Sequence, residues 1–404
     1  MRIADSHEFL ELYRGDKDLR MGMEFLKLRA DLQFASFAPD RLSPLDRDLF
    51  RATRLTDLEL PTVPDGMELR LLPSLAVRFA RKEGGGIFSL MPSYGRELAK
   101  WRPDVIIESA YSWLTPRSYQ TYAVAKALDV PVVYYDPGDD TPINTAHRVM
   151  ALWESRVIQN GAAIITFTQA GARRFVDKFG YPPERISVIP KPVDVGRFRK
   201  AESLRAEVRA RLGLDPRHIA VGYLGRLTRI RGSACLLEAA RVAAVDPALS
   251  ELRFVFVGGT LSSSETQASY VGDCGDNAQV TGMIPNSEVP EVLAALDIVV
   301  FPDVTRPAGF PTAAAETMAA GKAMIVGIGS STKLMPLRDG ENALLVPPGS
   351  PAAILGALRS LAASPDSIGR LGRAVARTAE TTMDYPVVAA KWLDIIEGAR
   401  PPGL

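Results

Sequence analysis

The chain has 404 residues, with 48 Lys and Arg against 47 Asp and Glu, a formal charge of +1 and 47% hydrophobic residues. That length exceeds one ordinary core and suits two domains of roughly 200 residues each. The balanced charge excludes a strongly basic nucleic-acid footprint, so no nucleic-acid partner is expected. Cys235 and Cys274 lack metal-ligand spacing, and His7, His147 and His218 are scattered, so neither a disulfide framework nor a zinc site is expected. The amino terminus lacks a basic-then-apolar leader pattern, and no run of about 18 apolar residues occurs to span a bilayer. A cytoplasmic protein is the expectation.

In chain order, the first hundred residues alternate least clearly. The stretch "LRLLPSLAVRFARK" (69–82) reads as an ordinary packed helix, its other reading being a peripheral contact with an anionic membrane surface. Buried strands are then predicted at "DVIIES" (104–109), "VPVVYYD" (130–136), "AAIITF" (162–167) and "ISVIP" (186–190), with helical spacing in "SYQTYAVAKALD" (118–129). Two prolines and a basic, polar shift in "IPKPVDVGRFRK" (189–200) mark a boundary. The second half repeats the alternation. Strands are predicted at 219–225, 253–259, 279–282, 297–301, 323–327 and 343–346, and helices at 232–245, 288–296, 312–320 and 351–363. Strands apolar throughout and separated by helices imply parallel sheets covered on both faces. The expected layout is an α/β chain with a first Rossmann-like domain at 1–195, a second at 196–383, and a final amphipathic segment at 384–404.

Two stretches carry chemistry. In "AGFPTAAAETMAAGKAMI" (308–325), Pro311 suits the first helical position, and the helix from Thr312 directs its free amides toward Gly309 and Phe310. The alanines keep this helix thin, and Glu316 lies one turn in, within reach of ligand hydroxyls. A solvated acid on an alanine-rich helix is the equal alternative from this stretch alone. In "VGYLGRLTRIRGSACLLEAARVA" (221–243), a strand and a turn at Gly225 precede Arg226 and Arg231, whose guanidinium forks match diphosphate oxygens.

The ordered set "GRLTRIRG" (225–232), "VTGMIP" (280–285), "FPD" (301–303), "AGFPTAAAETMAAGKAMIVG" (308–327) and "RDGENALLVPPGSP" (338–351) resembles the carboxyl-terminal half of the retaining GT-B glycosyltransferases of family four. The linker "VIPKPVDVGRF" (188–198) is similar to that family's Ile-Pro-Asn-Gly-Val-Asp. The resemblance implies two doubly wound Rossmann-like domains facing across a cleft, with the last helix crossing back to the first domain. It implies a nucleotide diphosphate sugar as donor, no metal and no cofactor. Arg226 and Arg231 would neutralise the diphosphate, Arg231 standing where the family has Lys. Gly225, Gly309, Phe310, Pro311 and Thr312 would line the sugar–phosphate site, Glu316 would accept from the ribose, and Thr281, Gly282 and Met283 would border the base.

The sequence also departs from that pattern. Ala308 occupies the place of the family's first Glu, eight residues before Glu316, and Asp303 and Arg306 are the nearest substitutes. The Gly-Gly turn after the first strand is absent, Gly15 and Gly22 being the nearest glycines. Asp136 stands where a histidine commonly follows the strand, with Asp139 and Asp140 behind it. Asp136 is read either as an acceptor-side catalytic group or as part of a simple turn. Tyr111, Trp113, Asp139 and Asp140 are the candidate acceptor contacts, while His7 at the amino-terminal strand end reads as incidental. The expectation is a retaining glycosyltransferase whose acceptor the residues do not specify. Its alternatives are a pseudo-glycosyltransferase coupling a non-sugar partner and a nucleotide-binding protein of the same fold without turnover.

Overall fold

The computed structural model describes residues 1–12, 17–43, 53–78, 87–110, 113–136, 143–225, 227, 232–259, 272, 277–302, 311–328 and 336–401. The chain divides into two compact units, Met1–Ile189 with Tyr385–Leu404, and Pro190–Asp384.

The first unit begins β1 (Arg2–Ser6), α1 (Lys17–Leu28), β2 (Gln33–Pro39), β3 (Met67–Leu72), β4 (Leu75–Arg78), β5 (Ile87–Leu90), α2 (Tyr94–Trp101) and β6 (Val105–Ser109). It continues α3 (Pro116–Leu128), β7 (Val132–Asp136), α4 (Thr145–Gln159), β8 (Ala163–Thr166), α5 (Gln169–Phe179) and β9 (Ile186–Val188). Seven strands pair in the order β3-β2-β1-β6-β7-β8-β9, every pair parallel. Strand order therefore reverses between β1 and β6. The β4 and β5 strands form a separate antiparallel pair.

The segment expected to be a helix at 69–82 is instead extended: it supplies the end of β3 and all of β4, and residues 79–82 lie outside the described residues. Pro73 interrupts any helix there, and β3 gains a full ladder beside β2, from Phe34–Met67 to Pro39–Leu72. Tertiary pairing outweighs the helical reading.

The second unit runs α6 (Val195–Ala201), α7 (Arg205–Arg211), β10 (Ile219–Leu224), α8 (Ser233–Val245), β11 (Leu252–Val257), β12 (Ala278–Gly282) and α9 (Val289–Ala295). It ends β13 (Ile298–Phe301), α10 (Thr312–Ala319), β14 (Ala323–Gly327), β15 (Leu344–Val346), α11 (Pro351–Ala362) and α12 (Pro365–Thr382). Its strands pair in parallel in the order β12-β11-β10-β13-β14-β15, so the reversal falls between β10 and β13. The last helix, α13 (Tyr385–Gly398), belongs to the first unit, where Trp392 packs on Tyr135 and Phe167.

The strands are apolar at successive positions because each sheet is covered twice. In β11, Leu252, Phe254 and Phe256 enter one core, with α8 and α11, while Val255 and Val257 enter the other, with α9 and α10. In β6, Val105 and Ile107 meet the core shared with α1 and α13, and Ile106 meets that of α2 to α5. Each fully buried aliphatic or aromatic side chain contributes roughly 1.5–3 kcal/mol of transfer free energy.

The alanines of α10 have a packing role. Ala314, Ala315 and Ala319 join the core formed with Val375 and Ala379 of α12. Past the end of α10, Gly321 turns with φ +66, and a Cβ built on Gly372 would lie 2.3 Å from the Gly321 carbonyl oxygen. Replacing Gly372 by Ala should therefore destabilise the protein by about 1–3 kcal/mol, from over-packing. The control Gly356→Ala, where an added Cβ meets nothing within 4 Å, should be neutral or mildly stabilising. Thermal denaturation compares the two, and equal midpoints would contradict the packing assignment.

Candidate functional site

Parallel doubly wound sheets bind ligands beyond the carboxyl ends of their strands, where the strand order reverses. In the second unit that point lies between β10 and β13. Directly after β10, Gly225 has φ +142, a backbone conformation that a side chain would disfavour. Its amide donates to the Val257 carbonyl (3.0 Å), the Leu227 amide to Gly259 (3.1 Å), and the Gly258 amide to Gly282 (3.0 Å). These bonds extend the β10–β11–β12 ladder past the strand ends and bring the Gly225 turn into one series with Thr281, Gly282 and Met283. The Thr281 hydroxyl donates to the Gly282 carbonyl at 3.0 Å, Gly282 has φ +79, and Met283 is 62% exposed. That set forms a polar backbone ledge with one apolar side chain open to solvent.

On the other side of the reversal, Pro302 follows β13, and its carbonyl accepts from the Gly349 amide (2.9 Å). The chain next enters the described residues at Pro311. Expected as the first helical residue, Pro311 stands one position earlier: its ψ is 140°, and its carbonyl accepts from the amides of Ala314 (3.0 Å) and Ala315 (3.3 Å). Thr312 therefore begins α10, and Glu316 sits one turn in, 5% exposed. Arg226, Arg231, Gly309 and Phe310 lie outside the described residues, as do Ala308, Asp303 and Arg306.

Other cations of this unit are committed to its frame. The Lys322 ammonium donates to Glu202 (2.8 Å) and to the Ala294 carbonyl (3.1 Å), and burial holds its pKa below the usual lysine value. Arg205 and Arg209 bind Asp297 and the last carbonyls of α9.

In the first unit the reversal between β1 and β6 is filled by a buried polar cluster that no sequence motif marked. Arg117, the second residue of α3, is 2% exposed. Its Nη1 donates to the Ser6 carbonyl (2.5 Å) and hydroxyl (2.7 Å), and its Nη2 to the Ser109 carbonyl (3.3 Å) and hydroxyl (3.0 Å). Its Nε meets Glu8 Oε1 at 3.1 Å, and Glu8 also accepts from the Thr115 hydroxyl (2.5 Å) and the Ser89 amide (3.1 Å). One guanidinium thus ties the carboxyl ends of β1 and β6 together. Breaking one partner of such a buried pair costs about 3–5 kcal/mol, because the other charge is left uncompensated. Beside it, His7 Nε2 lies 3.3 Å from Asp5 Oδ2, both side chains being buried.

Asp136 ends β7, but its position differs from that of a group presented to an acceptor. The residue has 0% exposure, its Oδ1 lies 2.9 Å from Arg174 Nη2, and a Cβ on Gly171 would come within 2.3 Å of its Oδ2. It is an ion pair tying β7 to α5. Trp113 packs edge-on against Phe88 of β5, with ring centroids 6.4 Å apart. Tyr111, Asp139 and Asp140 lie outside the described residues. Among the described residues, no group of three His, Cys, Asp or Glu is placed to hold a metal ion.

Residues 218–364 match the family model for Glycosyl transferases group 1, and residues 50–197 match that for Glycosyltransferase Family 4. The chain is 30% identical over 279 residues to a D-inositol 3-phosphate glycosyltransferase of Rhodococcus jostii, covering 66% of this chain and 58% of that one. It is 31% identical over 258 residues to that of Acidothermus cellulolyticus, covering 62% and 55%. The chain thus spans a little over half the length of these curated relatives. Among solved structures, HepE of Anabaena in complex with UDP aligns with a TM-score of 0.71 and 16% identity over 98% of this chain and 100% of that one. Sucrose-phosphate synthase from Thermosynechococcus elongatus aligns at 0.69 and 16% over 98% of each. These alignments concern the fold, which is GT-B.

Glu108 of β6 is fully buried beside Arg117, Ser118 and Thr121, and burial raises its pKa above the ordinary 4.5. The folded state therefore holds the proton more tightly than the unfolded chain does. The stability this gives is present below pH 4.5 and declines as pH rises toward the folded-state pKa. Glu108→Gln should gain on the wild type in thermal midpoint as pH is raised from 4 to 8. A difference independent of pH would contradict a buried, proton-retaining carboxyl.

Proposed function

We propose that this chain, which belongs to the glycosyl transferases of group 1 in family four, moves a sugar with retention from a nucleotide diphosphate sugar to an acceptor hydroxyl. One observation carries the reading. At the strand-order reversal of the second unit, the loop after β10 begins with the Gly225 turn, and the loop after β13 ends at the start of α10. These are the two loops that bear the family's diphosphate and sugar motifs. The β10–β11–β12 ledge supports Thr281, Gly282 and Met283 as the border of the base.

In this reading Arg226 and Arg231, with the free amides of α10, meet the charge that develops on the departing diphosphate. Glu316 accepts from the ribose hydroxyls, and Gly309, Phe310, Pro311 and Thr312 line the sugar. Retention places the acceptor on the face from which the diphosphate leaves. The reading includes neither a metal ion nor a cofactor. UDP is the first nucleotide to try, since the HepE structures hold UDP, UDP with glucose, and UDP-glucose. The acceptor is left open. The relatives are named for D-inositol 3-phosphate, and the chain spans only 58% of the Rhodococcus jostii protein.

Ala308 favours a second reading, because it puts a methyl where the family has a carboxylate. The fold would then couple a non-sugar partner or bind nucleotide without turnover. Titration with UDP-, GDP- and dTDP-sugars, followed by product analysis, separates the readings. Arg226→Ala, Arg231→Ala and Glu316→Ala should each weaken donor binding by roughly 10–100-fold, the loss of a charge-assisted hydrogen bond. Tight binding without hydrolysis or transfer under every acceptor supports the second reading. Affinity unchanged in all three variants would remove this site assignment altogether.

A further inference from the structure

The outer face of α4 is unusual for a helix surrounded by water. Val149, Leu152 and Trp153, at i, i+3 and i+4, are 49%, 80% and 53% exposed, and Tyr119 of the adjoining α3 is 37% exposed. Single exposed apolar residues are ordinary, but a contiguous stripe marks an interaction surface. The opposite face of α4 is already used, with Glu154, Val157 and Ile158 buried.

Within α3 and α4 themselves the exposed charges are cationic, while Asp129, also exposed, caps the end of α3. Arg148 and Arg156 are exposed on α4, each four residues from Leu152, and Lys126 is exposed on α3. The α3 sequence contains no acid, and the one acid of α4, Glu154, is buried. Glu154 accepts from the Leu114 amide (2.7 Å) and from Lys178 (2.6 Å). On the other side, α5 exposes Arg173 and Asp177, whose charges cancel. The chain as a whole is balanced, so this cationic bias is local.

We infer that the outer face of α4, continued by Tyr119 and Lys126 of α3, seats the protein on an anionic lipid surface. An interfacial helix has this make-up: a stripe with Trp and Leu enters the headgroup boundary while arginines reach anionic headgroups. Tyr119 and Trp153 each offer an apolar body with a polar edge, suited to that boundary. A second copy of the chain is a poorer occupant. Pairing the same face on itself would bring Arg148 and Arg156 against like charges, with no exposed carboxylate on α3 or α4 to meet them. At 15 residues, α4 lies on such a surface rather than crossing it. The membrane contact considered for 69–82 thus moves to a different element. This inference is independent of the donor reading.

The test uses the full chain in co-sedimentation with vesicles of phosphatidylcholine, alone or with about 30 mol % phosphatidylglycerol. The wild type should bind the anionic vesicles and leave the neutral ones unbound, and 0.5 M salt should release it, the Debye length then being about half its value at 0.15 M. Leu152→Ser/Trp153→Ser should weaken binding at least ~10-fold, through lost apolar burial. Arg148→Gln/Arg156→Gln should weaken it by roughly fivefold per arginine. Thermal midpoints should stay near wild type, since these side chains face solvent. Absence of binding to anionic vesicles would overturn the inference, as would binding that neither double variant reduces. Light scattering that shows a dimer broken by Leu152→Ser/Trp153→Ser, without vesicle binding, would assign the face to a second copy instead.

Discussion

A parallel sheet covered on both faces leaves one edge at which polar chemistry reaches the chain: the carboxyl ends of its strands. Both units are built under that constraint. In the second, β10 and β13 are neighbours whose following segments diverge, so the Gly225 turn and the start of α10 border the same reversal. In the first, the equivalent reversal lies between β1 and β6, and Ser6, Glu8 and Ser109 stand there.

The two edges use their polar groups differently. In the first unit, buried ion pairs hold the frame: Glu8 with Arg117, Asp136 with Arg174, and Glu154 with Lys178. Charges removed from water in this way must find partners within the fold, and these do so between a strand end and a helix, for Glu8 and Asp136, or between two helices, for Glu154. That is why Asp136, at the end of a strand where a ligand group was expected, faces Arg174. In the second unit, Lys322, Arg205 and Arg209 bind Glu202, Asp297 and α9 carbonyls. What the Gly225 turn and the Thr281–Met283 ledge present is chiefly backbone, a surface on which close approach by a phosphate or a base is feasible.

The second half was legible because its strands are buried on both faces. A run such as "RFVFV" has no polar face to confuse its reading, and β10 to β15 fall within a residue or two of the apolar runs. The start of the chain was harder for the same physical reason reversed. Edge strand β3 alternates Glu68 and Arg70 with apolar residues, and the following β4 pairs only with β5, so "LRLLPSLAVRFARK" carries no parallel-sheet signature. The site divided likewise. The residues proposed to meet the nucleotide sit in a local motif of fixed spacing, whereas the Glu8–Arg117 pair joins residues 109 apart and leaves no trace in any short window. The packing role of the α10 alanines was also hidden, since Gly372 and Gly321 approach each other only once α12 is folded back.

The proposed activity requires that the strand-order reversal of the second unit hold a nucleoside diphosphate. The most direct measurement is a crystal structure of the chain soaked with UDP. The diphosphate should lie between the Gly225 turn and the start of α10, the ribose at Glu316, and both guanidinium groups of Arg226 and Arg231 on phosphate oxygens. A nucleotide found elsewhere, or phosphates in place with both arginines turned away, would contradict it.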